Sequence, residues 1–419
     1  MRWRTDPLRG ANLAQTQGAA ETPEHAMPAV YTLLTLDVEI FGNGTGDILY
    51  CMIEPTRQLL QILARHDVRV TLFPDVCLLW AIDENERSGA FAHLGYSPGA
   101  EFRKLLTEAL AAGHDVQLHA HPEFTGATYK GLQFVVPEKE NWRITALPEG
   151  TDCRPLDSID GIIGEGKRTL ARVLKESAPD HEITTFRAGM LCSRPEEALF
   201  RALRRHGIRF DLSGAFGFRI DTGVGSVDFT DAFRSPDPVP VGATYLERSP
   251  LKDLIALPIY GAPYYPWSEL GVRIKRKLGL APKPPRWRRQ RPRNCSGSAH
   301  NPGYVQAAPR GILGRVVSPP IIHFFLESSA DDLLFCARDA IARAKRTDRD
   351  VYLVGLGHPK AMGDLSQLDV FLRWAREGPR REVFQFLTTA DLASHQFGAA
   401  VTAGVAVPRP TPVPSNRSI

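Results

Sequence analysis

The chain has 419 residues, 43% of them hydrophobic, and a formal net charge of +4. That is ample for a large buried core, either one big α/β domain with insertions or two smaller domains. No run of about eighteen uncharged apolar residues occurs, which argues against a membrane span, and residues 1–27 lack the apolar stretch of a secretory signal.

The six cysteines, Cys51, Cys77, Cys153, Cys192, Cys295 and Cys336, are scattered and form no CxxC pair. They read as free, mostly buried thiols in a reducing compartment, so a cytoplasmic location is expected and a cysteine zinc site is not. The positive charge is local: about ten Lys and Arg lie between Arg273 and Arg293 with no acid among them. The remainder is mildly acidic, so no nucleic-acid partner is expected.

In chain order, residues 1–28 form a polar leader, expected to be disordered. Val30 to Leu36 is a β-rich apolar run that ends at Asp37. Pro55 to His66 has apolar residues at helical spacing, and Val68 to Phe73 reads as a second strand. Glu101 to Ala112 is an amphipathic helix stopped by Gly113, and Asp115 to Leu118 is a strand leading to His119. Glu165 to Glu176 and Pro195 to His206 are helical, with Pro195 suited to a first turn; Ile183 to Phe186 and Ile208 to Leu212 are strands. Leu254 to Pro258, Val351 to Leu356 and Phe384 to Leu387 complete the strands, and Ser328 to Arg346 and Leu365 to Arg376 the helices.

This alternation predicts βαβ units, a parallel sheet, and a closed or nearly closed barrel of about seven to eight strands; an open doubly wound sheet is the alternative. No GxGxxG or Walker A sequence follows a strand. Residues 263–316, rich in Pro, Gly and basic residues, read as a mobile insertion, and residues 397–419 as a disordered tail. The mix of Lys, Arg, Leu and Trp across 270–295 suits peripheral contact with an anionic membrane or a lipid-linked glycan at the inner membrane face; its prolines suit a solvated loop.

Asp37 and Glu39 sit two apart at a strand end and so share a face. Paired there, carboxylates can bind a metal or act as a base; ordinary solvated acids are the alternative. His119 and His121 share a face in the same way, before Pro122, and imidazole is a common metal ligand. Arg187 at a strand mouth can orient a carboxylate, and His358, after a buried apolar strand and a glycine, is a candidate general acid. His114 reads as a capping or surface residue, His323 as a core or sheet residue, and His206 as a helix-end complement to the dipole.

Taken in order, Thr35-Leu36-Asp37-Val38-Glu39, Gly113 to His119, Phe186-Arg187-Ala188-Gly189, Leu254 to Pro258, Val354 to His358 and Phe386 to Leu392 resemble the motifs of the polysaccharide deacetylase (NodB-like) family. The resemblance spans about residues 30–395, so 29–396 is expected to be one such domain. It implies a distorted (β/α) barrel, one divalent metal, usually zinc, a carbohydrate substrate, and removal of an N-acetyl or related acyl group in polysaccharide metabolism or surface-glycan biosynthesis. Carried over, Asp37 is the base, His119 a metal ligand, Arg187 the cation that orients the base, and His358 the acid. Where the family has its metal-binding Asp this chain has Val38, and its second ligand histidine falls at Glu123, a further candidate ligand. His121 with Glu39 or Asp37 can replace them, and the His-x-His-Pro form looks like a divergent branch of the family. A glycosidase on a similar barrel and an inactive carbohydrate-binding relic are the rival readings.

Overall fold

The computed structural model describes residues 27–137, 142–150, 156–221, 226–265, 291–296 and 319–394. The leader up to residue 26, the tail and nearly all of the basic insertion, including 270–290, lie outside these residues.

The longest strand, β1 (Val30–Val38), is buried along its length and alternates strictly. Leu34, Leu36 and Val38 belong to the main apolar cluster shared with the helices, whereas Leu33 belongs to a second cluster with Phe73, Phe210, Leu212, Ile255, Leu257, Tyr352, Val354, Leu387 and Leu392. A period of two sorts one strand between these two interiors. Thr35 and Asp37 fall on the same side as Leu33, and Glu39, just past the strand, continues that side.

Parallel pairing surrounds β1. It runs beside β8 (Val351–Gly357) from Val30↔Val351 to Leu36↔Gly357, beside β2 (Thr71–Pro74), and beside the short β9 (Phe384–Phe386). β2 continues to β3 (Asp115–Val116). A second sheet runs in the order Val239–Pro240, β7 (Ile255–Ala256), β6 (Phe210–Asp211), β5 (Thr185–Ala188), β4 (Leu118–Ala120), and is parallel from β7 to β4.

The expected strand over Asp115 to Leu118 is broken at Gln117. Its side-chain oxygen accepts the Thr184 and Thr185 N–H groups while its own N–H bonds Leu72 O, so the chain changes partner sheet at this residue. An isolated bridge, Asp75↔His119, joins the sheets on one side. On the other, Tyr260 N–H bonds Val354 O (2.9 Å) and Leu326 N–H bonds Leu356 O (2.8 Å). The architecture is α/β with parallel strands, as expected; where a closed or nearly closed barrel was expected, the hydrogen bonding among the described residues forms two principal sheets and no closed ring.

Helices α1 (Glu54–Arg65), α2 (Val76–Arg87), α3 (Pro98–Ala111), α4 (Ile159–Leu174), α5 (Glu197–Arg205), α6 (Ala330–Thr347) and α7 (Ser366–Arg376) pack outside the strands. α2 escaped the sequence reading because Val76, Cys77, Leu78 and Leu79 are all buried, which erases the amphipathic period. Pro195 lies ahead of the α5 N-cap Glu196 rather than in the first turn. His114 is neither a cap nor at the surface: it is buried and its Nδ1 accepts the Val70 N–H at 3.2 Å. His323 is a buried strand residue, as expected, and its Nε2–H donates to Phe216 O at 2.9 Å.

The expectation of six free thiols fails at one pair: Cys51 and Cys295 form a disulfide. Disulfides persist in oxidising compartments, so cysteine usage gives no support to a cytoplasmic location. Cys77, Cys192 and Cys336 are free and buried as expected, and Cys153 lies outside the described residues. No helix among the described residues is long and apolar enough to cross a membrane.

Burial lowers both His114 and His323 to about 4, with Arg69 adding to the effect at His114. Unfolded histidine titrates near 6.5, so the folded state resists protons that the unfolded chain accepts. Stability from these two groups is complete above about pH 6.5 and is lost as pH falls towards about 4. The thermal midpoint is expected to fall between pH 7 and pH 4.5. His323→Gln, which keeps a donor for Phe216 O, should fall less over the same range; an equal fall in the variant would count against a buried neutral His323.

Candidate active site

The end of β1 delivers two carboxylates to one place. Asp37 Oδ1 accepts from Arg187 Nη1 at 2.6 Å, and Oδ2 lies 3.8 Å from His358 Nε2 and 3.9 Å from His119 Nε2. Glu39 Oε2 lies 2.9 Å from His119 Nε2 and 2.5 Å from His121 Nε2, while Oε1 accepts from Lys360 Nζ at 2.6 Å. Asp37, Glu39, His119, His121, Glu123 and Arg187 are all buried.

The two imidazoles stand edge to face, their centroids 4.8 Å apart. Each is oriented from behind: His119 Nδ1–H donates to Arg187 O at 2.9 Å, and His121 Nδ1 meets Glu123 Oε1 at 2.6 Å. Such backing bonds fix the tautomer and leave Nε2 as the free lone pair, the arrangement usual around metal-bound histidine. His121 Nε2 is buried and makes no aligned hydrogen bond, although Glu39 Oε2 is so close. One ligand atom each from Glu39, His119 and His121 fits within a span of 4.8 Å. This donor set suits a divalent cation. Glu123 stands at the back of the His121 ring, on the nitrogen that faces away from Glu39. Asp37 is held by Arg187 at Oδ1, and its Oδ2 lies 3.9 Å from His119 Nε2.

Burial would push the His121 pKa down, but Glu39 and Glu123 outweigh it and hold the group well above its ordinary value. Burial would raise Glu39, and His121 and Lys360 reverse this, holding it well below the carboxylate range. The charges are mutually dependent.

Arg187, read as a strand-mouth residue, lies within β5 and is fully buried. Its guanidinium is spent on Asp37, on Thr35 Oγ1 (2.8 Å) and on Leu212 O (3.1 Å), and lies 4.4 Å from the Phe73 ring centroid. His358 follows β8 directly; its Nδ1 is 3.1 Å from Glu327 Oε1, its Nε2 faces the two carboxylates, and 20% of its side chain is exposed.

Four further residues escaped the sequence reading. Asp75 caps α2, its Oδ1 accepting from Cys77 N–H and from His121 N–H, while its own N–H bonds Val38 O. Burial raises its pKa to about 6. A polar residue directly after the strand end Phe73-Pro74 was the available signal. Lys360 and Glu327 come from turns after strands, where the sequence offers only ordinary charged residues. Thr35 shares the face of Asp37 and carried the signal in its period-two position.

No family model matches the sequence, and no curated protein does. Among solved structures the chain is similar to one from Mycobacterium smegmatis described as a polysaccharide deacetylase: 13% identity, 93% of this chain and 96% of that one covered, TM-score 0.41. It is also similar to Puue allantoinase (10% identity, 90% and 93% covered, TM-score 0.43) and to a structure from Pseudomonas aeruginosa PAO1 described as a polysaccharide deacetylase (10% identity, 88% and 91% covered, TM-score 0.42). At these scores the likeness is one of broad chain course, and it identifies no activity.

Gly189 is where β5 passes His121. A Cβ there would stand 2.7 Å from Ala120 O and 2.7 Å from His121 Cγ. Gly189→Ala is expected to displace the ring or the strand and to cost about 1–3 kcal/mol. Gly150→Ala, with nothing within 4 Å, is the control. Equal denaturation midpoints for both variants would show that this approach is not required.

Proposed function

We propose that the protein is a metal-dependent hydrolase that removes an N-acetyl or related acyl group from a sugar. The observation that carries this reading is the convergence of His119 Nε2, His121 Nε2 and Glu39 Oε2, flanked by two further groups with fixed partners, Asp37–Arg187 and His358–Glu327. We take residues 29–396 as one catalytic domain and its two sheets as parts of a distorted barrel. Sugar as the substrate class rests on the resemblance of the sequence motifs to the polysaccharide deacetylase family.

Glu39, His119 and His121 would hold the ion, with Glu123 and Arg187 O fixing the rings behind it. When bound, a divalent ion polarises the acyl carbonyl and brings the pKa of water towards about 7. Asp37 Oδ2 faces the same space and takes the proton of the attacking water. Arg187 holds Oδ1, so Asp37 cannot turn away and remains the weaker candidate for a ligand. His358 Nε2, 3.8 Å from Asp37 Oδ2, delivers a proton to the leaving amine, and Glu327 on Nδ1 sets the ring angle. His358 is the most exposed of these groups, as a residue that meets substrate must be.

Acetate release from N-acetylated sugars tests the reading. The wild type is expected to be active and to lose activity to a chelator. His358→Ala is expected to lower turnover by about 10²–10⁴-fold at saturating substrate while keeping its metal, since that is the usual worth of a general acid. Activity that survives chelation, or full turnover in His358→Ala, would contradict it.

A further inference from the structure

Lys360 takes no part in the chemistry proposed above, yet it is bonded to the centre of the site. It lies two residues after His358, in a single 3-10 turn, Pro359–Ala361, closed by the Ala361 N–H bond to His358 O at 2.8 Å. Its ammonium donates to Glu39 Oε1 at 2.6 Å and to Ile40 O at 2.7 Å, and lies 5.4 Å from the centroid of the Phe41 ring. All three partners come from one stretch of backbone, and the side chain is only 12% exposed. Burying a lysine ammonium favours pairing its donors, and both hydrogen bonds of this one go to residues 39 and 40.

The consequence falls on the oxygens of Glu39. With Oε1 taken by Lys360, only Oε2 faces His119 Nε2 (2.9 Å) and His121 Nε2 (2.5 Å). Arg187 does the same to Asp37, taking Oδ1 and leaving Oδ2. Resting on the metal reading above, the geometry points to Lys360 as a positioning residue that restricts Glu39 to one metal-facing oxygen and so selects a small, tetrahedral cation over a larger one of higher coordination number. Two imidazole nitrogens and one carboxylate oxygen suit four-coordinate zinc, whereas a carboxylate free to offer both oxygens suits manganese or calcium. A nearby positive charge also opposes cation binding, so the lysine gives up affinity for geometry.

Cobalt(II), a spectroscopic stand-in for zinc, tests this on the full-length chain. Four-coordinate cobalt absorbs strongly in the visible, and added oxygen ligands weaken the bands. Wild type and Lys360→Arg, which keeps the cationic donor, should give intense bands. Lys360→Met and Lys360→Gln should give bands several-fold weaker per bound cobalt. The preference for zinc over manganese, read as a ratio of Kd values, should drop about tenfold in the last two variants and recover in Lys360→Arg. Cobalt spectra and metal ratios that do not change in Lys360→Met and Lys360→Gln would overturn the role of Lys360 and leave the metal site standing. A change shared by Lys360→Arg would also overturn it. Failure of the wild type to bind cobalt or zinc at all would take down both this inference and the metal reading.

Discussion

Four carboxylates, Asp37, Glu39, Asp75 and Glu123, are buried together where β1, β2 and β4 end, and the site follows from the need to compensate each. An uncompensated buried carboxylate either costs several kcal/mol or takes up a proton. Arg187 answers Asp37, Lys360 and the two imidazoles answer Glu39, and His121 answers Glu123. Asp75 is satisfied at one oxygen by two N–H groups while the other is buried without a partner, and burial carries its pKa up to about 6. Arg187 arrives on β5, Lys360 on the turn after β8 and the two imidazoles at the end of β4, so the electrostatics hold only while the two sheets keep their positions.

That dependence explains why the fold invests so much at the junction of the sheets. Asp75 links them through its backbone bridge to His119, bonds Val38 O through its N–H, and starts α2 with its side chain. Gln117 ties β4 to the start of β5 and lets the chain pass from one sheet to the other. Gly189 lets β5 run close against His121.

Much of this was legible in the sequence where a single periodicity carried the signal. Asp37 with Glu39, and His119 with His121, are visible because two-residue spacing on a strand end puts side chains on one face. The same rule accounts for Val38, which stands where the family that the sequence motifs resemble has a carboxylate. Val38 points into the helix-side apolar cluster, so at this strand end an acid can reach the site only from position 37 or 39. What the sequence does not show is the partner set. Lys360, Glu327 and Asp75 are ordinary charged residues in their local context and meet the site only through contacts across the fold, 321 residues apart in the case of Lys360 and Glu39. Whether the barrel closes is not legible either, because a tally of βα units says nothing about where hydrogen bonding changes partner. The disulfide between Cys51 and Cys295, 244 residues apart, has no local signature either.

The proposed chemistry requires that Glu39, His119 and His121 together hold a single divalent ion. Diffraction from crystals of the zinc-loaded protein, collected on both sides of the zinc absorption edge, tests it most directly. The account predicts one anomalous peak about 2.0–2.1 Å from His119 Nε2 and His121 Nε2 and at a similar distance from Glu39 Oε2, with Asp37 still bonded to Arg187. A map with no peak there, or a peak bound by Asp37 and Glu123 with the imidazoles turned away, would contradict it.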